Sequence, residues 1–356
     1  MFGYGAFQVT FAACLCLVPF LFLWPLLVAL CVWLLWTIGW KYWEHTHLGE
    51  CEGRGVFITG CDSGLGFAIA EHLDALGFTV FAGCYRPQDV GASTLQKECS
   101  SRLHEVPIDV RDKESVANAF AYVKDHLPKH GLWGVVNNAG VNLATSEVEL
   151  TGVRMYNRAQ DVNMYGPIRV VKAFLPLIRA SAGRIINVTS VHGRMSIPRW
   201  STYDVTKHGL ETLSDSLRLE MAKFGVRVSI VEPGQYGFVT SIQNEEMTNL
   251  QLAQIDEMWK NASPEIRAAY PKEEEVKGNT PVMVHGWVAN VNKCLPVARA
   301  VAHALRSEHP RARYLVGGYG TIVSFVDGFA VMSKVHNLLS TWFMDWWIAR
   351  WTLNEK

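Results

Sequence analysis

Gly55-Val56-Phe57-Ile58-Thr59-Gly60-Cys61-Asp62-Ser63-Gly64-Leu65-Gly66 is the stretch whose reading decides the fold. Gly55 to Thr59 reads as a short buried strand. Three glycines follow with the spacing G-x-x-x-G-x-G, and a helical pattern then runs from Phe67 to Leu76. Strand, glycine turn and helix start in this order place a pyrophosphate on a helix N-terminus, where backbone N–H groups point outward. One glycine would mark only a turn. Three in this setting mark a dinucleotide cradle.

Further strands and helices alternate from there. Phe78 to Gly83 reads as the second strand. Its end carries Cys84-Tyr85-Arg86, where a dinucleotide fold often has an acid for the adenosine ribose hydroxyls. Arg86 suits either a 2′-phosphate or a solvated loop. Leu103 to Asp109 predicts a third strand ending in Asp109-Val110, and Ser115 to Leu127 a helix. Leu132 to Val136 predicts a fourth strand, running into Asn137-Asn138-Ala139-Gly140. Small and amide-bearing residues at a strand C-terminus suit the ligand side of such a sheet. Met155 to Ala180, with Asn163, has helical periodicity. Arg184 to Val188 and Val226 to Val231 predict two more strands, ending in Thr189-Ser190 and Glu232-Pro233-Gly234. Strands alternating with helices at this spacing predict an α/β fold, a Rossmann-type parallel sheet wound on both sides.

Tyr203-Asp204-Val205-Thr206-Lys207 opens a predicted helix from Tyr203 to Ala222. Residues four apart share a helix face. An ammonium beside a phenol favours phenolate, which makes Tyr203 a usable acid or base near neutrality. From Ser241 to about Lys293 the alternation stops, as expected of a segment covering a substrate site. Leu295 to Leu305 predicts a helix and Tyr314 to Val316 an edge strand.

Both ends of the chain are apolar. Residues 1–40 carry no charged side chain, and about 20 apolar residues span a bilayer. Residues 1–48 are therefore expected to be a membrane anchor. Two arrangements fit, one tilted span or a hairpin of two short helices around Pro25, with Trp36, Trp40, Tyr42 and Trp43 at the interface. Residues 319–356 form an aromatic segment interrupted by Asp327, Lys334, Asp345 and Arg350. It suits a membrane-surface helix, a wall of an apolar pocket, or a packed C-terminal helix. Between the two ends, residues 49–318 are expected to form the Rossmann-type domain.

The 33 basic and 33 acidic residues of the 356 balance, which argues against a nucleic-acid partner. Of the eight cysteines, Cys14, Cys16 and Cys31 lie in the apolar start, and Cys51, Cys61, Cys84, Cys99 and Cys294 have no zinc-like or disulfide-like spacing and read as free thiols, so no metal is expected.

These motifs resemble the short-chain dehydrogenase/reductase family. Thr59–Gly66, Asn137–Gly140, Ser190, Tyr203-x-x-x-Lys207 and Pro233-Gly234 stand in the family's order, over about residues 54–318. Val56 to Gly64, Gly131-Leu132-Trp133-Gly134 and Ser214 to Arg218 resemble the branch of retinol, 17-beta- and 11-beta-hydroxysteroid and D-3-hydroxybutyrate dehydrogenases. The resemblance implies Tyr203 as the base that takes the alcohol proton and Lys207 as the group that lowers its pKa and holds the nicotinamide ribose. It implies that Ser190 hydrogen-bonds the substrate oxygen and that Asn163 fixes a water beside Lys207. It further implies cofactor contacts along Thr59, Gly60, Asp62, Ser63, Gly64, Leu65, Gly66, Cys84, Asp109, Val110, Asn138, Ala139, Gly140, Tyr203, Lys207, Pro233, Gly234 and Thr240. His192 and His208 read as bystanders. Ser63 stands where many NADP enzymes of the family have a basic residue, so NAD is expected, with NADP kept open by Arg86 and the missing acid near Cys84.

The expectation is a membrane-anchored enzyme oxidising a lipophilic alcohol, a steroid or a retinoid. It is expected in the endoplasmic reticulum, with a mitochondrial membrane as the alternative, and a homodimer is compatible with the resemblance. The rival is a 3-hydroxybutyrate dehydrogenase, whose small anion needs a cationic clamp; Arg194 and Arg199 are the cations between Ser190 and Tyr203. A non-catalytic protein that kept the fold is disfavoured because the four catalytic positions are filled.

Overall fold

A computed structural model of the chain describes residues 24–36, 39, 48–143, 146–234, 236–237, 240, 245–270 and 291–317. Residues 24–36 (α1) are helical and exposed along their length. Among the described residues no helix is long and apolar enough to cross a membrane. Most of the predicted anchor and the whole aromatic segment from Ile322 lie outside the described residues.

Seven strands form one parallel sheet in the order β3-β2-β1-β4-β5-β6-β7. They are β1 (Gly55–Thr59), β2 (Thr79–Cys84), β3 (Leu103–Pro107), β4 (Leu132–Asn137), β5 (Arg184–Val188), β6 (Arg227–Pro233) and β7 (Arg313–Val316). The helices are α2 (Gly64–Ala75), α3 (Val90–Glu98), α4 (Lys113–Asp125), α5 (Val153–Gln160), α6 (Gly166–Ala180), α7 (Ser201–Met221), α8 (Glu245–Asn261), α9 (Pro264–Ala269) and α10 (Val291–Arg306). Successive strand residues face opposite sides of a sheet, and β1 is buried on both. Val56 and Ile58 join Val297 and Val301 of α10 and Ile69 and Leu73 of α2. Phe57 joins the other face with Phe174 of α6, the rings stacked at 4.5 Å.

The strand order reverses between β1 and β4, which opens a crevice at the strand C-termini. Thr59, Asn137 and Val188 end their strands at that edge, so the topology gathers the motif loops there.

Three elements depart from the sequence reading. The continuous helix predicted from Met155 to Ala180 is broken by a π-helical turn at Asp161–Tyr165. Pro167 lacks the N–H that an α-helix would direct to the Asn163 carbonyl four residues earlier. The stretch read as irregular from Ser241 contains α8 and α9. The buried face of α8 includes Thr248, Gln251 and Gln254 beside Ile255 and Met258, so its apolar period is weak. Helix α3 was not foreseen. It presents only Ala92 and Leu95 to the core, too few apolar positions to register as a period.

Candidate active site

The glycine turn is packed against the end of β4. Thr59 Oγ1 accepts from the backbone N–H of Asn138 and of Ala139, both at 3.1 Å. Asn138 Nδ2 donates back to the Thr59 and Gly60 carbonyls at 3.0 and 3.1 Å. Gly60 has φ +74° and Gly64 φ +61°, a region that glycine enters without penalty. A Cβ on Gly66 would lie 2.0 Å from the Gly60 carbonyl oxygen. Ser63 is the extended residue before α2, whose first turn holds no acidic side chain. Leu65 packs on the core beneath. A Cβ on Gly64 would meet the Thr240 side chain at 3.0 Å, so Thr240 closes over the helix start. Pro233 ends β6, and the N–H of Gly234, the next residue, reaches the Val316 carbonyl. Bare backbone, an anion-favouring helix start and no crowding Cβ fit a dinucleotide pyrophosphate.

Other expected cofactor residues point elsewhere. The Asp62 carboxylate accepts from the backbone N–H of Tyr85 (3.0 Å) and Arg86 (2.6 Å), so it shapes the loop after β2. The Cys84 side chain is fully buried in the core, and burial pushes its thiol up. Val110 is buried in the second core cluster. Asp109 forms an ion pair with Arg111 at 2.7 Å, and that hydrogen-bonded guanidinium holds its carboxyl below the ordinary range. Arg111 also donates to the Tyr85 hydroxyl at 2.9 Å. Arg86 pairs with Glu246 of α8 at 3.1 Å.

The four expected catalytic residues lie close together. The Asn163 amide donates to the Val141 carbonyl (2.9 Å) and to Thr206 Oγ1 (3.2 Å), and its oxygen accepts from Val141 N–H (2.8 Å). A Cβ on Gly140 would lie 3.4 Å from Asn163 Oδ1 and 3.7 Å from Lys207 Nζ. Lys207 is buried, and Nζ donates to the Val188 carbonyl at 3.2 Å. It stands 5.4 Å from the Tyr203 ring centre. Burial pulls the Lys207 ammonium down to about 8.

Tyr203 differs from the sequence expectation. Burial is the largest influence and raises the phenol well above its ordinary value; the hydrogen bond with Ser190 lowers it and the Asp204 carboxylate raises it. The expected downward pull of Lys207 is not among the influences on the phenol; both groups are removed from water, which disfavours both charged forms.

The segment between Ser190 and Tyr203 carries contacts that spacing did not reveal. Ser190 Oγ accepts from the His192 N–H at 3.2 Å. His192 Nδ1 lies 2.7 Å from the Asp204 carboxylate. Arg194 meets Glu232 at 2.5 Å, and Arg199 meets Glu147 at 3.6 Å. The signal was there in a histidine two residues after Ser190 and an acid directly after Tyr203, but only the fold joins them.

The profile of the short chain dehydrogenase family matches residues 54–251. The chain belongs to the short-chain dehydrogenase family. With membership go dehydrogenase chemistry on an alcohol and a nicotinamide cofactor, NAD or NADP. Mitochondrial D-beta-hydroxybutyrate dehydrogenase of Rattus norvegicus is 38% identical over 269 residues, 74% of this chain and 76% of that protein. Retinol dehydrogenase 16 of Homo sapiens is 39% identical over 294 residues, 82% of this chain and 89% of that protein. The crystal structure of a short-chain dehydrogenase from Streptomyces avermitilis superposes with a TM-score of 0.58 at 27% identity, covering 81% of this chain and 97% of the other.

Proposed function

We propose that this short-chain dehydrogenase oxidises a lipophilic alcohol, a steroid or a retinoid, with NAD as its cofactor, while anchored to a membrane by its N-terminal segment. The observation that carries the substrate class is the pairing of Arg194 with Glu232 and of Arg199 with Glu147. These are the cations nearest the reacting groups in sequence, and both already face carboxylates of this chain. A hydroxy acid would have to break such a pair, leaving a nearly buried Glu232 short of a cation.

When bound, the nicotinamide supplies the acceptor for the hydride that leaves the alcohol carbon. In this reading Tyr203 takes the alcohol proton, and Ser190 stabilises the substrate oxygen as charge develops on it. Lys207 holds positive charge beside the Tyr203 ring and reaches the ribose. Asn163 fixes the Val141 loop, and its carbonyl, which Pro167 cannot serve, holds a water in the proton path to Lys207. Thr59, Gly60, Ser63, Gly64, Leu65 and Gly66 form the pyrophosphate cradle, with Asn138, Ala139, Gly140, Pro233, Gly234 and Thr240 along the rest of the dinucleotide. The engagement of Arg86 by Glu246 and of Arg111 by Asp109 supports NAD, since a 2′-phosphate would compete with acids already in place.

The exposed α1, with Trp24, Leu27, Trp33 and Trp36 on its surface, supports the membrane anchor. We assign the endoplasmic reticulum as the location, residues 49–318 as the catalytic domain and residues 241–293 as its substrate cover. A second reading, D-3-hydroxybutyrate oxidation in a mitochondrial membrane, is favoured by the rat relative. The test compares kcat/KM for retinol, a steroid alcohol and D-3-hydroxybutyrate in one detergent with NAD. A higher value for a lipophilic alcohol is expected. A preference for 3-hydroxybutyrate that collapses in Arg199→Ala would overturn the assignment.

A further inference from the structure

His192 stands in the one-turn helix Val191–Gly193, directly after Ser190. Its backbone N–H donates to Ser190 Oγ at 3.2 Å. Its ring lies against Trp200, with centres 4.9 Å apart, and meets the Tyr203 ring edge-on at 5.4 Å. Nδ1 is 2.7 Å from Asp204, whose carboxylate is 4% exposed and also accepts from the Ile197 N–H at 2.9 Å. An ionised carboxylate only accepts, so Nδ1 carries the hydrogen. One residue thus reaches both partners: its main-chain N–H holds Ser190 Oγ, and its ring meets the ring that carries the reactive phenol.

We infer that His192 is a positioning residue: braced by Asp204, it fixes Ser190 against Tyr203 and screens the Tyr203 hydroxyl from the Asp204 charge. The inference rests on the proposed role of Tyr203 as base. Asp204 is adjacent to Tyr203 in sequence, and its negative charge opposes the phenolate. The donated hydrogen bond from His192 draws that charge away. Few other charges act here. Lys207 faces the Tyr203 ring from α7 itself, and the His208 ring bonds the Asp204 main-chain carbonyl, not its carboxylate. Arg313 of β7 bridges Glu211 of α7 and Glu232 of β6, and Glu232 also holds Arg194, which follows the His192 turn.

The test measures the acid limb of the pH–kcat profile for alcohol oxidation, with NADH affinity and melting temperature alongside. His192→Phe keeps an aromatic wall and loses the donor. Its limb is expected to move about one pH unit upward, seen as an about tenfold lower kcat at neutral pH, with NADH affinity unchanged. His192→Gln restores an N–H and is expected to recover most of the rate. Adding Asp204→Asn to His192→Phe removes the unscreened charge and should bring the limb back to the wild-type position or below it. A purely structural role would lower melting temperature and rate without that return. An unmoved limb in His192→Phe, or a double variant that stays shifted, overturns the inference. If His192→Phe does not fold, Asp204→Asn alone decides, because its limb must then move to lower pH. Tyr203→Phe is run in parallel. Full turnover there defeats the catalytic reading itself, whereas an inactive Tyr203→Phe beside unshifted His192 variants defeats only this inference.

Discussion

Replacing Lys207 by methionine should make the protein more stable and nearly inactive at once. Lys207 is buried, and burial alone pulls its ammonium from 10.5 to about 8. That corresponds to about 3 kcal/mol against the charged form at neutral pH. Methionine of similar length avoids this cost but loses the hydrogen bond to the Val188 carbonyl, about 1–2 kcal/mol. A net gain of about 1–2 kcal/mol at pH 7 is expected. Its pH dependence is a sharper check. Because the folded value lies below the unfolded one, the unfolded chain binds more protons between about 8 and 10.5, and wild-type stability from this group rises with pH across that window. The advantage of the variant therefore shrinks as pH rises and is gone by about pH 10.5. Urea unfolding of both proteins in one detergent, followed by tryptophan fluorescence at pH 7 and above pH 10, measures the difference while shared titrations cancel. Turnover should fall at least about a hundredfold. A variant less stable than wild type at pH 7, or a difference that does not change with pH, would refute the argument.

Tyr203→Phe should keep the fold and the affinity for NADH while leaving no more than about a few per cent of turnover, read by absorbance of the reduced cofactor. Gly66→Ala sets a methyl group 2.0 Å from the Gly60 carbonyl oxygen; NADH affinity, followed by fluorescence titration, should fall at least tenfold (about 1.4 kcal/mol). Arg194→Ala removes one of the two cations seen beside Glu232 and keeps Arg313; it should cost about 2 kcal/mol in urea unfolding, whereas Arg199→Ala should cost under about 1 kcal/mol. Deleting residues 1–48 should release the protein from membranes; retention of the truncated chain after an alkaline carbonate wash would move the anchor to the C-terminal segment.

The strands were legible because they are short apolar runs between turn residues, and β1 and β5 begin and end where the pattern does. Helix α8 was not, because side-chain amides take the place of apolar residues on its buried face. Gln251 Nε2, for example, donates to the Asn142 carbonyl at 2.9 Å. The π-helical turn leaves a trace in Gly166-Pro167, but periodicity alone runs through it. At the candidate site Tyr203 and Lys207 were readable as neighbours because residues four apart share a helix face, whereas Ser190 entered only through the family resemblance. The balance between burial and charge was not readable, since it depends on how completely water is excluded. For the same reason Arg194 and Arg199 looked available until Glu232 and Glu147 were found beside them, from β6 and from a loop.

Strand β7 has a consequence for how the protein is made. Ile230 of β6 pairs with Arg313, roughly 80 residues later, which a ribosome takes on the order of ten seconds to add. During that interval the β6 edge is open, and unpaired edges invite wrong partners. Glu211, Asp215 and Glu232 also wait for the guanidinium of Arg313. The nascent chain thus carries an unfinished edge flanked by three acids, whose mutual repulsion, only partly offset by Arg194 at Glu232 and Arg218 at Asp215, discourages another strand from docking there. The residue that ends the repulsion arrives on the strand that closes the sheet.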